Sequence, residues 1–169
     1  MIKYTRTALP AMGNCGGKEA QAELIKLVDG KPLYLKVLFN DQFKRLVSDV
    51  FTPDGSVNEK MLASGWAYYA RGIGRESDAM RLAGEVAREK KLGVFGQCIE
   101  KVNTKQPKCV IKAQHSTNKA GDVYRFPGCG QYESTLIQLY LGDQWFCTEK
   151  ETVKAGFTKA SDCFDKKWR

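Results

Sequence analysis

A chain of 169 residues with 43% hydrophobic and 27% charged side chains has the balance of a folded globular protein, one ordinary domain or two small ones, not of a disordered tail. No run approaches the roughly 20 apolar residues of a membrane span, and Met1–Arg6 leads into no apolar core of a signal peptide. The net charge is +8, with 15 Lys and Arg against 12 Asp and Glu over residues 1–100 and 12 against 7 over 101–169, a balance that suits polyanions such as nucleic acid or anionic lipid as well as it suits dispersed surface charge.

Residues 18–28 read as an amphipathic helix with Ala20, Leu24, Leu27 and Val28 on one face, stopped by Asp29-Gly30-Lys31-Pro32. Leu33–Phe39 and Arg45–Thr52 read as strands, and Pro53-Asp54-Gly55 as the turn after them. Ser56-Val-Asn-Glu59 has the form of a capping box and opens a helix to about Ala63, closed by Gly65. Ser77 or Asp78 caps a third helix with an apolar stripe of Met80, Ala83, Val86 and Ala87, ended by Gly93.

Residues 99–108 are polar, have little pattern and read as a linker. Beyond them come β-like Val110–Lys112 and Val123–Phe126, with turns at Lys119–Asp122 and Pro127–Gly130. Thr148-Glu-Lys-Glu151 is a second capping box, and its short helix ends at Gly156, where a positive φ is needed. Nothing repeats internally.

Six cysteines, at 15, 98, 109, 129, 147 and 163, are many for this length. None forms a Cys-x-x-Cys pair, which argues against a zinc ribbon. The even count and wide spacing suit disulfides and an oxidising compartment, so the expected location is secreted or periplasmic, with the signal peptide absent from this chain. The only histidine, His115, stands in a polar stretch and reads as a solvated loop residue. A lone histidine also argues against most Cys-His and Ser-His-Asp arrangements.

Four segments in order, Cys15–Ala20, Asp41–Leu46, Asp54–Ala67 and Gly93–Cys98, resemble the staphylococcal-nuclease (thermonuclease) family from its third barrel strand onward. The resemblance covers roughly residues 3–98, and Asp54-Gly-Ser-Val-Asn-Glu59 with Arg45 ahead of it is the most specific part. It implies phosphodiester cleavage by water, with calcium held by carboxylates and arginines gripping the phosphate.

Carried over residue by residue, Arg45 follows Asp41 at the spacing of the family's second phosphate-binding arginine, where a guanidinium grips phosphate bidentately. These two residues are the catalytic candidates. Lys3 falls where the first arginine is expected, although lysine binds phosphate only as a point charge. Tyr68, Tyr69 and Arg71 fall near the substrate-facing loop, where Tyr69 and Arg71 would stack on bases or hold phosphate. The alternative for the tyrosines is packing beneath a helix junction, and Trp66 reads as core. In the metal-binding segment Pro10 sets the register, and Ala8 and Ala11 then stand in the places of the aspartate and glutamate. Methyl groups cannot hold a hard cation that wants several oxygen ligands, so no metal ligand is assigned. The family's earlier metal aspartate falls before residue 1. Acids borrowed from Asp41 or Asp49 are the remaining route to a calcium site.

The resemblance also implies a Cys15–Cys98 bridge. Residues 108–164, through Val123–Cys129, Trp145–Glu151, Ala155–Phe157 and Cys163, resemble a small cysteine-rich module called the sunset domain. Two disulfides among Cys109, Cys129, Cys147 and Cys163 are expected there, with zinc the weaker reading.

The expected architecture is α+β. It comprises an OB-fold-type barrel with packed helices over 1–98 that lacks its first strands, a linker over 99–108, and a disulfide-rich α+β module over 109–169. The open barrel edge admits a homodimer. The expected function is a thermonuclease-like, nucleic-acid-related protein without cofactor, catalytically degenerate and binding phosphate through Arg45. Two alternatives stand beside it: an active calcium-dependent endonuclease, and an extracytoplasmic structural or protein-interaction module.

Overall fold

The computed structural model describes residues 3–4, 7–40, 44, 46–69, 77–116 and 121–168, with the backbone alone at 3–4. The chain divides into two compact units, Met1–Gln97 and Cys98–Arg169.

The first unit runs β1 (Lys3–Tyr4), β2 (Thr7–Ala8), α1 (Gly17–Val28), β3 (Tyr34–Asn40), β4 (Leu46–Thr52), β5 (Gly55–Ser56), α2 (Val57–Ala63), β6 (Tyr68–Tyr69), α3 (Asp78–Glu89) and α4 (Val94–Gln97). Rich in β-branched residues, β4 is the central strand. It pairs in parallel with β1 and antiparallel with β3, and turns through Pro53-Asp54 into β5. Its Val47, Ser48, Val50 and Thr52 are all buried, as a strand covered on both faces requires. A separate antiparallel pair joins β2 to β6.

The path β1-β4-β3 has two ends, so the described residues form no closed barrel. Every residue of β3 is exposed. Leu35 and Val37 stand across from buried Val50 and Ser48, yet remain 41% and 51% exposed. The apolar face of the sheet therefore runs on past the part that the helices cover.

Helix boundaries follow the chemistry of their caps. Ser56 accepts from the backbone N–H of Glu59 and Ser77 from that of Met80, each supplying a partner for a donor the helix start leaves open. Val50, Val57, Met61, Leu62, Ala67, Ala20 and Met80 form the core, with Trp66 packed partly against it. The expected stripe on α3 needs one correction. Met80 and Ala87 are buried, but Val86 is 36% exposed and Gly84 takes the inward place. Positions 80, 84 and 87 keep the 3–4 spacing, whereas 86 falls off that face.

The second unit contains β7 (Ile99–Glu100), β8 (Ile111–Gln114), β9 (Val123–Arg125), β10 (Ile137–Gln138), β11 (Gln144–Phe146), α5 (Glu149–Lys154) and β12 (Thr158–Lys159), with short 3₁₀ turns at Leu139–Leu141 and Ser161–Cys163. Its sheet has the order β11-β8-β9-β12, and β7 pairs with β10. The stretch expected as a linker is built into this unit. Ile99 and Glu100 pair with Gln138 and Ile137, and buried Asn103 donates to the Cys109 carbonyl and accepts from the Gln106 N–H. Polarity misled the sequence reading, because these polar groups bond inside the unit.

Cys109 is bonded to Cys147 and Cys129 to Cys163, so these sulfurs are not available to zinc. Cys15 and Cys98 are also disulfide-bonded, and no cysteine is free. Thr148 and Glu151 complete both arms of the capping box on α5. Lys112 is buried and donates to the carbonyls of Tyr132 and Thr135, with its ammonium 4.3 Å from the centre of the Tyr132 ring.

Candidate nucleic-acid interface

The segment that the resemblance aligns with metal ligands is held by hydrogen bonds and packing. In β2, Thr7 lies across from Tyr69 and Ala8 from Tyr68. Thr7 is buried, and its Oγ1 accepts a 3.4 Å hydrogen bond from Nδ2 of Asn58, in the first turn of α2. Asn58 Oδ1 in turn accepts the Val50 N–H at 2.8 Å. Leu9 packs on the core and Pro10 is buried. The chain then turns, with the Asn14 N–H donating to the Ala11 carbonyl, and enters α1. Gly17 is required there, because a Cβ at that position would collide with the Ala11 carbonyl.

Within this frame Ala8 is half-buried on the strand and Ala11 is exposed at the turn. Neither side chain offers an oxygen. The residues at 8 and 11 therefore do not fit a calcium ion. Asp49, the described acid considered as a substitute, pairs in register with Lys36 on the central strand and is half-buried.

Arg45, Asp41 and Arg71 lie outside the described residues. Lys44, beside Arg45, is exposed with φ of 58°, a left-handed backbone just ahead of β4. Lys3 occupies the register position across from Val47. Tyr69 is half-buried against the core, and its hydroxyl oxygen is buried without a hydrogen-bond partner among the described residues. It shares a pocket with Arg81, Gly84, Glu85, Arg88 and Phe95. This placement suits helix packing better than base stacking. Arg81 is engaged by Glu85 at 2.9 Å and by Asp78 at 3.4 Å, and the Arg88 guanidinium sits 4.6 Å from the Phe95 ring centre.

A family profile described as "Staphylococcal nuclease homologue" matches residues 10–97, more than half of the chain. The chain belongs to the staphylococcal nuclease homologue family. Among curated proteins, "Staphylococcal-like nuclease CAN1" of Arabidopsis thaliana is 34% identical over 79 residues, 47% of this chain and 24% of that protein. "Probable staphylococcal-like nuclease CAN4" of Oryza sativa subsp. japonica is 31% identical over 86 residues, 51% of this chain and 17% of that protein. The chain thus spans about a quarter or less of the length of these nuclease homologues. The family match covers the first unit only.

His115, in the second unit, is the exposed loop residue expected, but it is tied into a cluster of acids. Its Nδ1 lies 2.6 Å from Asp122 Oδ2, its backbone N–H donates to Asp143 Oδ1, and its ring sits 4.9 Å from that of Phe157. Asp122 is held below the usual carboxylate range, first by the Ser116 N–H and then by His115. Burial pushes Asp143 up despite the N–H groups of Gln138 and His115 on its oxygens. The sequence carried no signal for this cluster, because its members are 7 to 28 residues apart.

Proposed function

We propose that this chain is a nucleic-acid-binding member of the staphylococcal nuclease homologue family that has lost metal-dependent cleavage and grips phosphate through Arg45. The observation that supports the reading is the pair Ala8 and Ala11, methyl groups in a segment anchored through Thr7 and Asn58, which the resemblance, with Pro10 setting the register, aligns with carboxylates. Arg45 supplies a planar fork for two phosphate oxygens, and Lys3 and Arg71 add positive charge to the same ligand. The disulfides are compatible with an oxidising compartment, which supports a secreted or periplasmic location.

The names of the relatives favour a second reading, an active calcium-dependent nuclease. One experiment separates the two. Labelled single-stranded DNA is incubated with the protein and calcium, with and without chelator, alongside salt-dependent binding measurements. The proposal expects intact DNA, binding that weakens steeply with salt, and a salt slope shallower by about 0.7–0.9 in Arg45→Ala. Cleavage that the chelator abolishes would overturn it. Absence of binding at low salt would leave the protein-interaction module as the surviving reading.

A further inference from the structure

Phe164 combines two features that folding alone does not favour. Its ring is 73% exposed, the most exposed of the large apolar side chains among the described residues. Its backbone has φ of 51° and ψ of −141°, a region that glycine adopts freely and phenylalanine does not. The turn that imposes this conformation is pinned from several sides. Cys163 is buried and bonded to Cys129. The Phe164 N–H donates to the Ser161 carbonyl and the Lys166 N–H to the Cys163 carbonyl. Lys159 Nζ donates to the Lys166 carbonyl at 2.7 Å, and Lys166 Nζ to the Gly128 carbonyl. Trp168, four residues on, is instead turned inward and stacks on Phe126. The rigid turn therefore holds one aromatic ring out in water at a position where glycine would sit without strain.

The charged residues of this turn are mainly cations. Lys159, Lys166 and Lys167 are exposed, and two of them meet through the hydrogen bond just described. Of the nearby acids, Asp162 bonds Arg125, while Glu149 accepts from Tyr124 and Trp168 and lies 3.8 Å from Lys159. That leaves Asp165 as the exposed acid of the turn. An exposed aromatic face on a turn that carries lysines is the chemistry that recognises an unpaired base and its phosphates. One exposed ring on a lysine-bearing turn is too small for an apolar protein-docking patch.

We infer that the Phe164 turn is a second nucleic-acid contact, specific for single strands, in which a base stacks on Phe164 and Lys159, Lys166 and Lys167 hold the flanking phosphates. It goes beyond the Arg45 reading, using a different unit and different chemistry.

The test uses the full oxidised chain and a fluorescein-labelled oligothymidylate, single-stranded and as its duplex with oligoadenylate. Phe164→Gly removes the ring and relieves the backbone, so its melting temperature holds or rises. Its affinity for the single strand falls by about 5- to 150-fold while duplex binding changes little. Phe164→Tyr keeps the ring and binds as the wild type does. Changing Lys166 and Lys167 together to Gln flattens the salt dependence, which Phe164→Gly leaves unchanged. Wild-type affinity for the single strand in Phe164→Gly overturns the inference, as does a loss confined to anionic lipid vesicles. A defect in Arg45→Ala without one in Phe164→Gly leaves the earlier proposal standing and removes this one; the converse removes the earlier proposal alone.

Discussion

The side-chain amide of Asn58 donates to Thr7 Oγ1 while its oxygen accepts the N–H of Val50, so one fully buried residue of α2 joins β2 to the central strand β4. That bridge ties the segment carrying Ala8 to the core of the first unit. Asn58→Ala would leave the Val50 N–H and the Thr7 hydroxyl buried with one partner fewer each. The expected cost is about 1–3 kcal/mol of stability. Thr7→Val loses only the longer bond and costs less. Urea denaturation of the two variants checks the order, and an unchanged midpoint for Asn58→Ala would refute the bridge.

Gly65 and Gly93 approach each other at positive φ, 75° and 49°, with the Val94 N–H donating to the Gly65 carbonyl. A Cβ on Gly65 would run into the Leu92 carbonyl, and one on Gly93 into that of Gly65. Gly30 has φ of 66° but open space around it. Gly30→Ala is therefore expected to cost only the backbone term, roughly 1 kcal/mol, and Gly65→Ala or Gly93→Ala clearly more. Thermal melts of the three variants give the ranking. Equal shifts would mean that the close approach carries no energy.

Alkaline stability should be split between two groups of the second unit. Burial, then the hydrogen bond to Glu149, pushes the Tyr124 phenol up to about 12. Its folded pKa is raised, so its contribution is complete below the unfolded value of about 10 and is lost as pH rises towards 12. Burial pulls Lys112 below its ordinary 10.5. Its folded pKa is depressed, so its contribution is complete above 10.5 and is lost as pH falls through the folded value. Tyr124→Phe should therefore flatten the loss of stability between about pH 10 and 12, and Lys112→Met should remove a gain of stability made as pH rises to about 10.5. Denaturant midpoints from neutral pH up to about 12 test both signs.

Peptide mapping of unreduced protein should yield Cys109–Cys147 and Cys129–Cys163. A third linked pair should join Cys15 to Cys98, since both are oxidised. With sequence separations of 38 and 34 between the bonded cysteines of the second unit, losing either bridge is expected to cost about 3–4 kcal/mol. Either partner of the third pair linked to a different cysteine would break the expectation drawn from the family.

The local sequence by itself determined the caps at Ser56, Ser77 and Thr148, the breaks at Gly65 and Gly156, and the order of the three helices and two longer strands over 18–92; α3 instead ends at Glu89, ahead of the expected Gly93, with Lys91 in the left-handed position. Each of these rests on interactions within a few residues, which a sequence displays directly. It also carried the family, whose match covers residues 10–97. Only the tertiary structure decided that residues 99–108 belong to the second unit, because Ile99 and Glu100 pair with the distant Gln138 and Ile137. In the same way it turned Val86 outward and Tyr69 inward, left the apolar side chains of β3 uncovered, and brought His115 to Asp122 and Asp143. It alone set Phe164 outside the core and Trp168 against it, since two aromatics four residues apart look alike until a disulfide and a turn aim them.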